Sequence, residues 1–208
     1  MKLLDYKKTV EILTKYKIPV CPGGIFLKKE EALIFAKKIK YPIVLKIISP
    51  QAVHKTELGL VKVGIENEQE FIKAWSELSA KKIEKEGILV QKFFQGIELV
   101  AGMKRDNQFG PVLMFGSGGI LVELLADISL RIAPIKRKEA LAMIKETKAF
   151  KLLSGFRGQE PMKTDKIVDF LISLSNLSLQ EENIEEIDFN PIIINTDGLW
   201  VADVRFLV

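Results

Sequence analysis

A lysine sits inside a short apolar run, Ile43-Val44-Leu45-Lys46-Ile47-Ile48, which Pro42 and Pro50 close on either side. The run is rich in β-branched residues and too short for a helix, so it reads as a buried strand. An ammonium there is costly unless it reaches an anion, and a ligand phosphate would supply one; the alternative is an edge strand from which Lys46 snorkels to water. The single histidine, His54, comes eight residues later in a polar loop with Lys55 and Gly59. It is either a phosphate-handling imidazole or an ordinary loop residue.

A second constellation closes the sequence. Two apolar runs containing Asp188, Asn190 and Asp203 flank Asn195-Thr196-Asp197-Gly198, the pattern of a hairpin. A loop of two or four residues centred on Thr196 and Asp197 puts Asn190 directly opposite Asp203. An Asp197-Gly198 turn makes the pair diagonal neighbours, and a three-residue loop separates them. Asp188 shares the face of Asn190, because side chains alternate along a strand. Carboxylate and amide oxygens on a rigid hairpin are hard ligands suited to Mg²⁺ carried by a phosphate substrate; the alternative is a pair of polar residues at the mouth of a turn, with no metal. Glu98, in Ile97-Glu98-Leu99-Val100-Ala101, is either a mouth residue in water or an acceptor for ligand hydroxyls. The glycines of Gly116-Ser117-Gly118-Gly119 would let backbone N–H groups approach a phosphate, although the segment fits neither the P-loop nor the dinucleotide pattern.

Helices and strands alternate in the way needed to hold these groups. Helical spacing predicts a helix after Asp5, with Tyr6, Val10 and Leu13 on one face and its end before Pro19. Others are expected over 29–39, over 67–84 with Asn67 and Glu70 as an N-cap pair, over 137–148 and over 164–179. Strands are expected at 43–48, 60–65, 87–94, 97–104, 110–115 and 128–132, besides the final hairpin. Arg131 is either a phosphate or acyl-carrier contact or a surface charge. The fold class is α/β or α+β in two lobes, 1–90 and 91–208.

Composition narrows the function classes. A net charge of +4, with Lys and Glu interleaved, argues for solvated helical faces and against a nucleic-acid groove. No apolar run reaches the ~18 residues of a membrane span, since 110–130 contains Glu123 and Asp127. The N-terminus lacks the apolar core of a signal peptide, and the single cysteine, Cys21, has no internal disulfide partner, so a cytoplasmic protein is expected.

Several segments taken in order resemble the ATP-grasp β subunit of ADP-forming acetyl-CoA synthetase, an NDP-forming acyl-CoA synthetase, and more distantly the β subunit of succinyl-CoA synthetase. They are Tyr41-Pro42-Ile43-Val44-Leu45-Lys46, Ser49-Pro50 with His54-Lys55, Phe109-Gly110-Pro111-Val112, Phe115-Gly116-Ser117-Gly118-Gly119, Leu130-Arg131-Ile132-Ala133-Pro134, Gly155-Phe156-Arg157-Gly158 and Asp188-Phe189-Asn190-Pro191. The resemblance implies a two-lobed ATP-grasp fold that binds ATP or ADP with Mg²⁺. It makes Lys46 the phosphate-binding lysine, places Gln91, Lys92 and Phe93 at the hinge against adenine, and makes Glu98 a nucleotide-contacting acid. Asn190 and Asp203 become Mg²⁺ ligands with Asp188 a further candidate, and His54 becomes the histidine that carries a phosphoryl group. In the family, acyl-CoA, phosphate and ADP are interconverted with acid, CoA and ATP through acyl phosphate and phosphohistidine. A CoA-binding α subunit carrying a second phosphohistidine is the implied partner, in an α2β2-type hetero-oligomer; no G-x-G-x-x-G follows a strand here to supply that unit. The chain departs from the family where Leu60, instead of a second glycine, follows Gly59. Two other readings are the ATP-grasp part attached to a protein acetyltransferase and a carboxylate-amine ligase, which needs no phosphohistidine.

Overall fold

In a computed structural model of the chain, residues 2–49, 59–119, 127–155 and 160–208 are described. His54, Lys55 and the Phe156-Arg157-Gly158 segment lie outside them. The chain divides into two compact units, Cys21–Phe94 and Met1–Val20 with Gln95–Val208. The sequence-based division places the leading helix with the first lobe. Its partners lie in the second unit: Leu13 is buried in that unit's core, and the Lys2 N–H donates to the Val208 carbonyl over 2.7 Å.

The smaller unit is a four-stranded antiparallel sheet, β1 (Gly23–Phe26), β4 (Gly87–Lys92), β2 (Ile43–Ile48) and β3 (Val61–Ile65) in spatial order. Helices α2 (Lys29–Ile39) and α3 (Glu68–Ser79) cover one face. Ala32, Ala36, Phe71, Ala74, Trp75 and Leu78 pack there on Ile43, Leu45, Ile47, Ile88 and Val90. Strict alternation therefore turns Lys46 to the other face, with Val44 and Ile48.

Strand β1 has no strong sequence signal because two of its four residues are glycine. Helix α3 starts as expected, the Asn67 side chain accepting from the Glu70 N–H at 3.0 Å. It stops at Ser79, before the expected 84, where the Lys85 ammonium reaches back to the Ser79 carbonyl at 2.8 Å and supplies a donor to the helix end. Leu60 is 2% exposed, belongs to this core, and its carbonyl accepts from the Ile47 N–H. The departure at Gly59-Leu60 thus fills an apolar site.

The larger unit is an antiparallel sheet with the order β10 (Val204–Leu207), β8 (Glu186–Ile194), β5 (Ile97–Asp106), β6 (Gly110–Ser117), β7 (Ile128–Ile132), and β9 (Leu199–Val201) also paired to β8. Antiparallel pairing in both units makes this the α+β form of the expected class. One face carries Leu99, Ala101, Met103, Leu113, Phe115, Ile187, Phe189 and Phe206 into a core with α1 (Tyr6–Lys15), α4 (Arg137–Glu146) and α6 (Thr164–Gln180). Helical spacing in the sequence runs α4 on to 148, but Thr147 is extended and a short α5 (Ala149–Leu153) begins anew.

That break is organised by Asp127, a residue the sequence marked only as a charge. Asp127 is 7% exposed, and its carboxylate accepts from the N–H groups of Lys148 (2.7 Å) and Ala149 (3.2 Å) and from the Ser117 hydroxyl. Burial by itself would raise the carboxyl, but those donors hold it below its ordinary value of 3.8. Its contribution is therefore complete at neutral pH and is lost as pH falls through the folded-state value. Asp127→Ala is expected to cost about 2–4 kcal/mol at pH 7. In denaturant titrations at pH 7 and at lower pH, the difference from the unsubstituted chain shrinks with acid.

Among the described residues no helix is long and apolar enough to cross a membrane.

Candidate functional site

Lys46 and Gln91 in the smaller unit, and Glu98 and Asp188 in the larger, occupy the sheet face turned away from their own unit's helices. In the smaller unit, β2 lies between β4 and β3, which removes the edge-strand reading of Lys46. Lys46 sits opposite Leu89 and Val44 opposite Gln91, so Lys46 and Gln91 share a face. Lys46 is 7% exposed and Gln91 2%. Burial pushes the Cys21 thiol up to about 12, and the Lys46 ammonium acts against that shift, which puts lysine and thiol within electrostatic reach.

The end of β4 is more specific than sequence reasoning foresaw. The Lys92 N–H donates to the Pro22 carbonyl (2.8 Å) and the Phe93 N–H to the Pro42 carbonyl (3.2 Å). Both N–H groups are thus spent inside the unit. The Lys92 ammonium is committed as well, to the carbonyls of Lys40 (2.8 Å) and Tyr41 (3.0 Å).

In the larger unit, the hairpin takes the register that pairs Asn190 with Asp203. Ile192 faces Val201 and Val204 faces Phe189, so the pair between them is fixed, and the Asn190 N–H donates to the Asp203 carbonyl at 3.2 Å. Asn195 to Gly198 form the four-residue loop, with the Asn195 side chain accepting from the Asp197 N–H at 2.9 Å. The ladder is irregular at this level: Leu99 pairs with Ile192 but Ala101 with Phe189, a one-residue shift on β8. Phe189 and Ile192 both face the core, so the irregularity re-aims the intervening side chains.

Asp188 lies opposite Arg205 on one side and Gly102 on the other. Glycine there leaves no β5 side chain over the carboxylate. The Asp188 carboxyl is raised by burial first, then by the negative charges of Asp203 and Glu186, with Arg205 pulling the other way. Crowded carboxylates of this kind favour a cation. Two carboxylates and one amide are fewer ligands than Mg²⁺ requires, which suits an ion that arrives with phosphate oxygens and water; among the described residues no group of three or more His, Cys, Asp or Glu forms a closed centre. The residues therefore fit a nucleotide-borne Mg²⁺. Asp188→Asn removes an unfavourable buried charge, so the ligand-free chain is expected to melt roughly 2–4 °C higher, as about 1 kcal/mol would give at this size, while Mg²⁺-nucleotide affinity falls. Thermal melting and calorimetric titration check the two halves.

Glu98, exposed near the start of the interior strand β5, is set by the glycine segment. The Gly118 N–H donates to the Glu98 carbonyl at 2.8 Å, and a Cβ at Gly118 would lie 2.6 Å from the Glu98 carbonyl carbon. At Gly119 (φ +68) a Cβ would meet a Glu98 carboxylate oxygen at 3.0 Å. The Gly118 N–H expected to meet a phosphate thus holds Glu98. Arg131 is likewise structural, bonded to Glu146 and to the Leu130 carbonyl, and it ties β7 to α4.

A family model described as ATP-grasp domain matches residues 1–208. The chain is 45% identical over 204 residues to the ADP-forming acetate–CoA ligase I of Archaeoglobus fulgidus, covering 95% of this chain and 30% of that protein. It is 40% identical over 205 residues to the β subunit of the Pyrococcus furiosus ADP-forming acetate–CoA ligase I, covering 95% of this chain and 88% of that subunit. A structure of the Ca. Korarchaeum cryptofilum dinucleotide forming acetyl-coenzyme A synthetase 1, in complex with coenzyme A and Mg-AMPPCP and with its phosphohistidine segment pointing towards the nucleotide binding site, superposes with a TM-score of 0.87 at 44% identity, covering 100% of this chain and 93% of that chain.

Proposed function

From the premise that this chain belongs to the ATP-grasp family of ADP-forming acetate–CoA ligase β subunits, we propose that it is the nucleotide-binding half of an acyl-CoA synthetase. The reaction interconverts acyl-CoA, phosphate and ADP with acid, CoA and ATP. The observation that carries the reading is the hairpin register that pairs Asn190 with Asp203 beside the crowded Asp188 carboxylate.

Lys46 pairs with the nucleotide phosphates, and its neighbour Gln91 lies on the same sheet face. Glu98 accepts from ribose hydroxyls, its backbone held by Gly118. Asn190, Asp203 and Asp188 hold Mg²⁺, which when bound neutralises the phosphate charge that would otherwise repel an incoming phosphoryl group. His54, whose imidazole is the nucleophile, takes the phosphoryl group that acyl phosphate gives up as its carboxylate leaves, relayed by the partner's phosphohistidine, and passes it to the terminal phosphate of ADP. The acyl phosphate forms on a CoA-binding partner that carries its own phosphohistidine, in an assembly of α2β2 type.

Mixing the chain with such a partner and following ATP formation from ADP, phosphate and acetyl-CoA tests the proposal. Turnover should require both components. Equal ADP release from ATP with an acid and an amine, and no partner, would instead identify a carboxylate-amine ligase.

A further inference from the structure

Four of the chain's arginines lie among the described residues, and three of them are tied to protein acceptors. Arg105 donates to the carbonyls of Ser178, Glu181 and Ile184 near the end of α6, Arg137 to the carboxylates of Asp165 and Asp169, and Arg131 to Glu146. Arg205 is the exception. Its Nε is enclosed with no hydrogen-bond partner among the described residues. A donor left so costs free energy, which a fold bears where the group serves a ligand.

The sheet indicates which ligand. Arg205 pairs with Asp188 across β10 and β8, and its neighbours Val204 and Phe206 face the core. Alternation therefore turns Arg205 to the face of Asp188, one level along the hairpin, about 7 Å, from the Asn190–Asp203 pair. Three candidate Mg²⁺ ligands and one cation form a square. The Arg205 charge draws the Asp188 carboxyl down against the effect of burial, but by attraction alone, with no hydrogen bond between the two. A guanidinium beside metal-binding carboxylates, yet unpaired with them, is placed for the anion that accompanies the metal.

We propose that Arg205 is a further substrate-binding residue: its guanidinium binds oxygens of the nucleotide's terminal phosphate, beside the Mg²⁺ ligands Asp188, Asn190 and Asp203. The inference rests on the nucleotide-binding reading above and adds a residue for that phosphate. The planar fork matches two oxygens of one phosphate, which a lysine cannot do.

The test titrates the full-length chain with Mg-ADP and with AMP, which lacks the terminal phosphate, and repeats both with Arg205→Gln and Arg205→Lys. Arg205→Gln should weaken Mg-ADP about 10- to 100-fold and leave AMP within about twofold. Arg205→Lys keeps the charge beside Asp188 and loses the fork, so it should recover only part of the ADP affinity. In an Asp188→Asn background, Arg205→Gln should still weaken Mg-ADP about tenfold or more. Melting curves establish that each variant is folded, and Arg205→Lys is judged by the same ADP and AMP comparison if Arg205→Gln is not. Where AMP binds too weakly to titrate, the Asp188→Asn background decides. Parallel loss for ADP and AMP, or full ADP affinity in a folded variant, overturns the inference and leaves the nucleotide site standing. So does a loss that vanishes in the Asp188→Asn background, since Arg205 would then only offset the Asp188 charge. An unsubstituted chain that binds neither nucleotide overturns both.

Discussion

Replacing His54 by Asn is expected to lower ATP formation from ADP, phosphate and acetyl-CoA by about 10⁴-fold or more, with Mg-ADP affinity little changed. Asparagine keeps a polar side chain of similar reach but has no nitrogen able to accept a phosphoryl group at neutral pH. The imidazole does, because its ordinary pKa leaves much of it neutral there. His54 is the chain's single histidine, so no other residue of the same type can take over. Rapid-quench labelling with acetyl-CoA, partner and radioactive phosphate checks the same point: acid-labile label should appear on the unsubstituted chain and be missing from His54→Asn. Full turnover in the variant would remove the phosphohistidine step and with it the distinction from an amine ligase.

The second large effect is expected at Lys46. Lys46→Met keeps an unbranched side chain and removes the charge. Lys46 is 7% exposed in an interior strand with Val44 and Ile48 on its face, where methionine occupies a similar volume. Charge-assisted bonds to phosphate contribute about 1.5–3 kcal/mol each, so the Kd for Mg-ADP should rise roughly 10- to 100-fold. A lysine serving only the fold would show the reverse, with stability lost and affinity kept. Paired melting and titration experiments separate the two.

Much of this arrangement is legible in the chain's local properties. The strand around Lys46, the register options of the final hairpin and the N-cap at Asn67 come from period, turn residues and capping chemistry. The hairpin shows the limit of such reading, since turn residues allow several registers and sheet pairing selects one. Other features are invisible in local sequence because they depend on residues that meet across the fold. Asp127 reads as a charge interrupting an apolar run, yet it is the acceptor that starts α5, through N–H groups of Lys148 and Ala149. Gly118 matches a phosphate-binding composition, but its N–H is used by Glu98 across the sheet. The leading helix precedes the first unit in sequence and packs with the second, because its Leu13 completes that core. Pro42 reads as a strand stop. That its carbonyl accepts from the Phe93 N–H emerges once β2 is laid beside β4.

Nucleotide binding that depends on Mg²⁺ and on the Asn190–Asp203 hairpin is the core of the proposed function. The most direct measurement is the thermal midpoint of the purified chain with and without Mg-ADP, in the unsubstituted protein and in Asp203→Ala. Ligand at a hundred times its Kd adds about 2.7 kcal/mol, which should raise the midpoint of the unsubstituted chain by roughly 5–10 °C. In Asp203→Ala the shift at the same concentration should largely disappear. A folded chain whose midpoint is moved by neither Mg-ADP nor Mg-ATP, or a shift that survives intact in Asp203→Ala, would contradict the account.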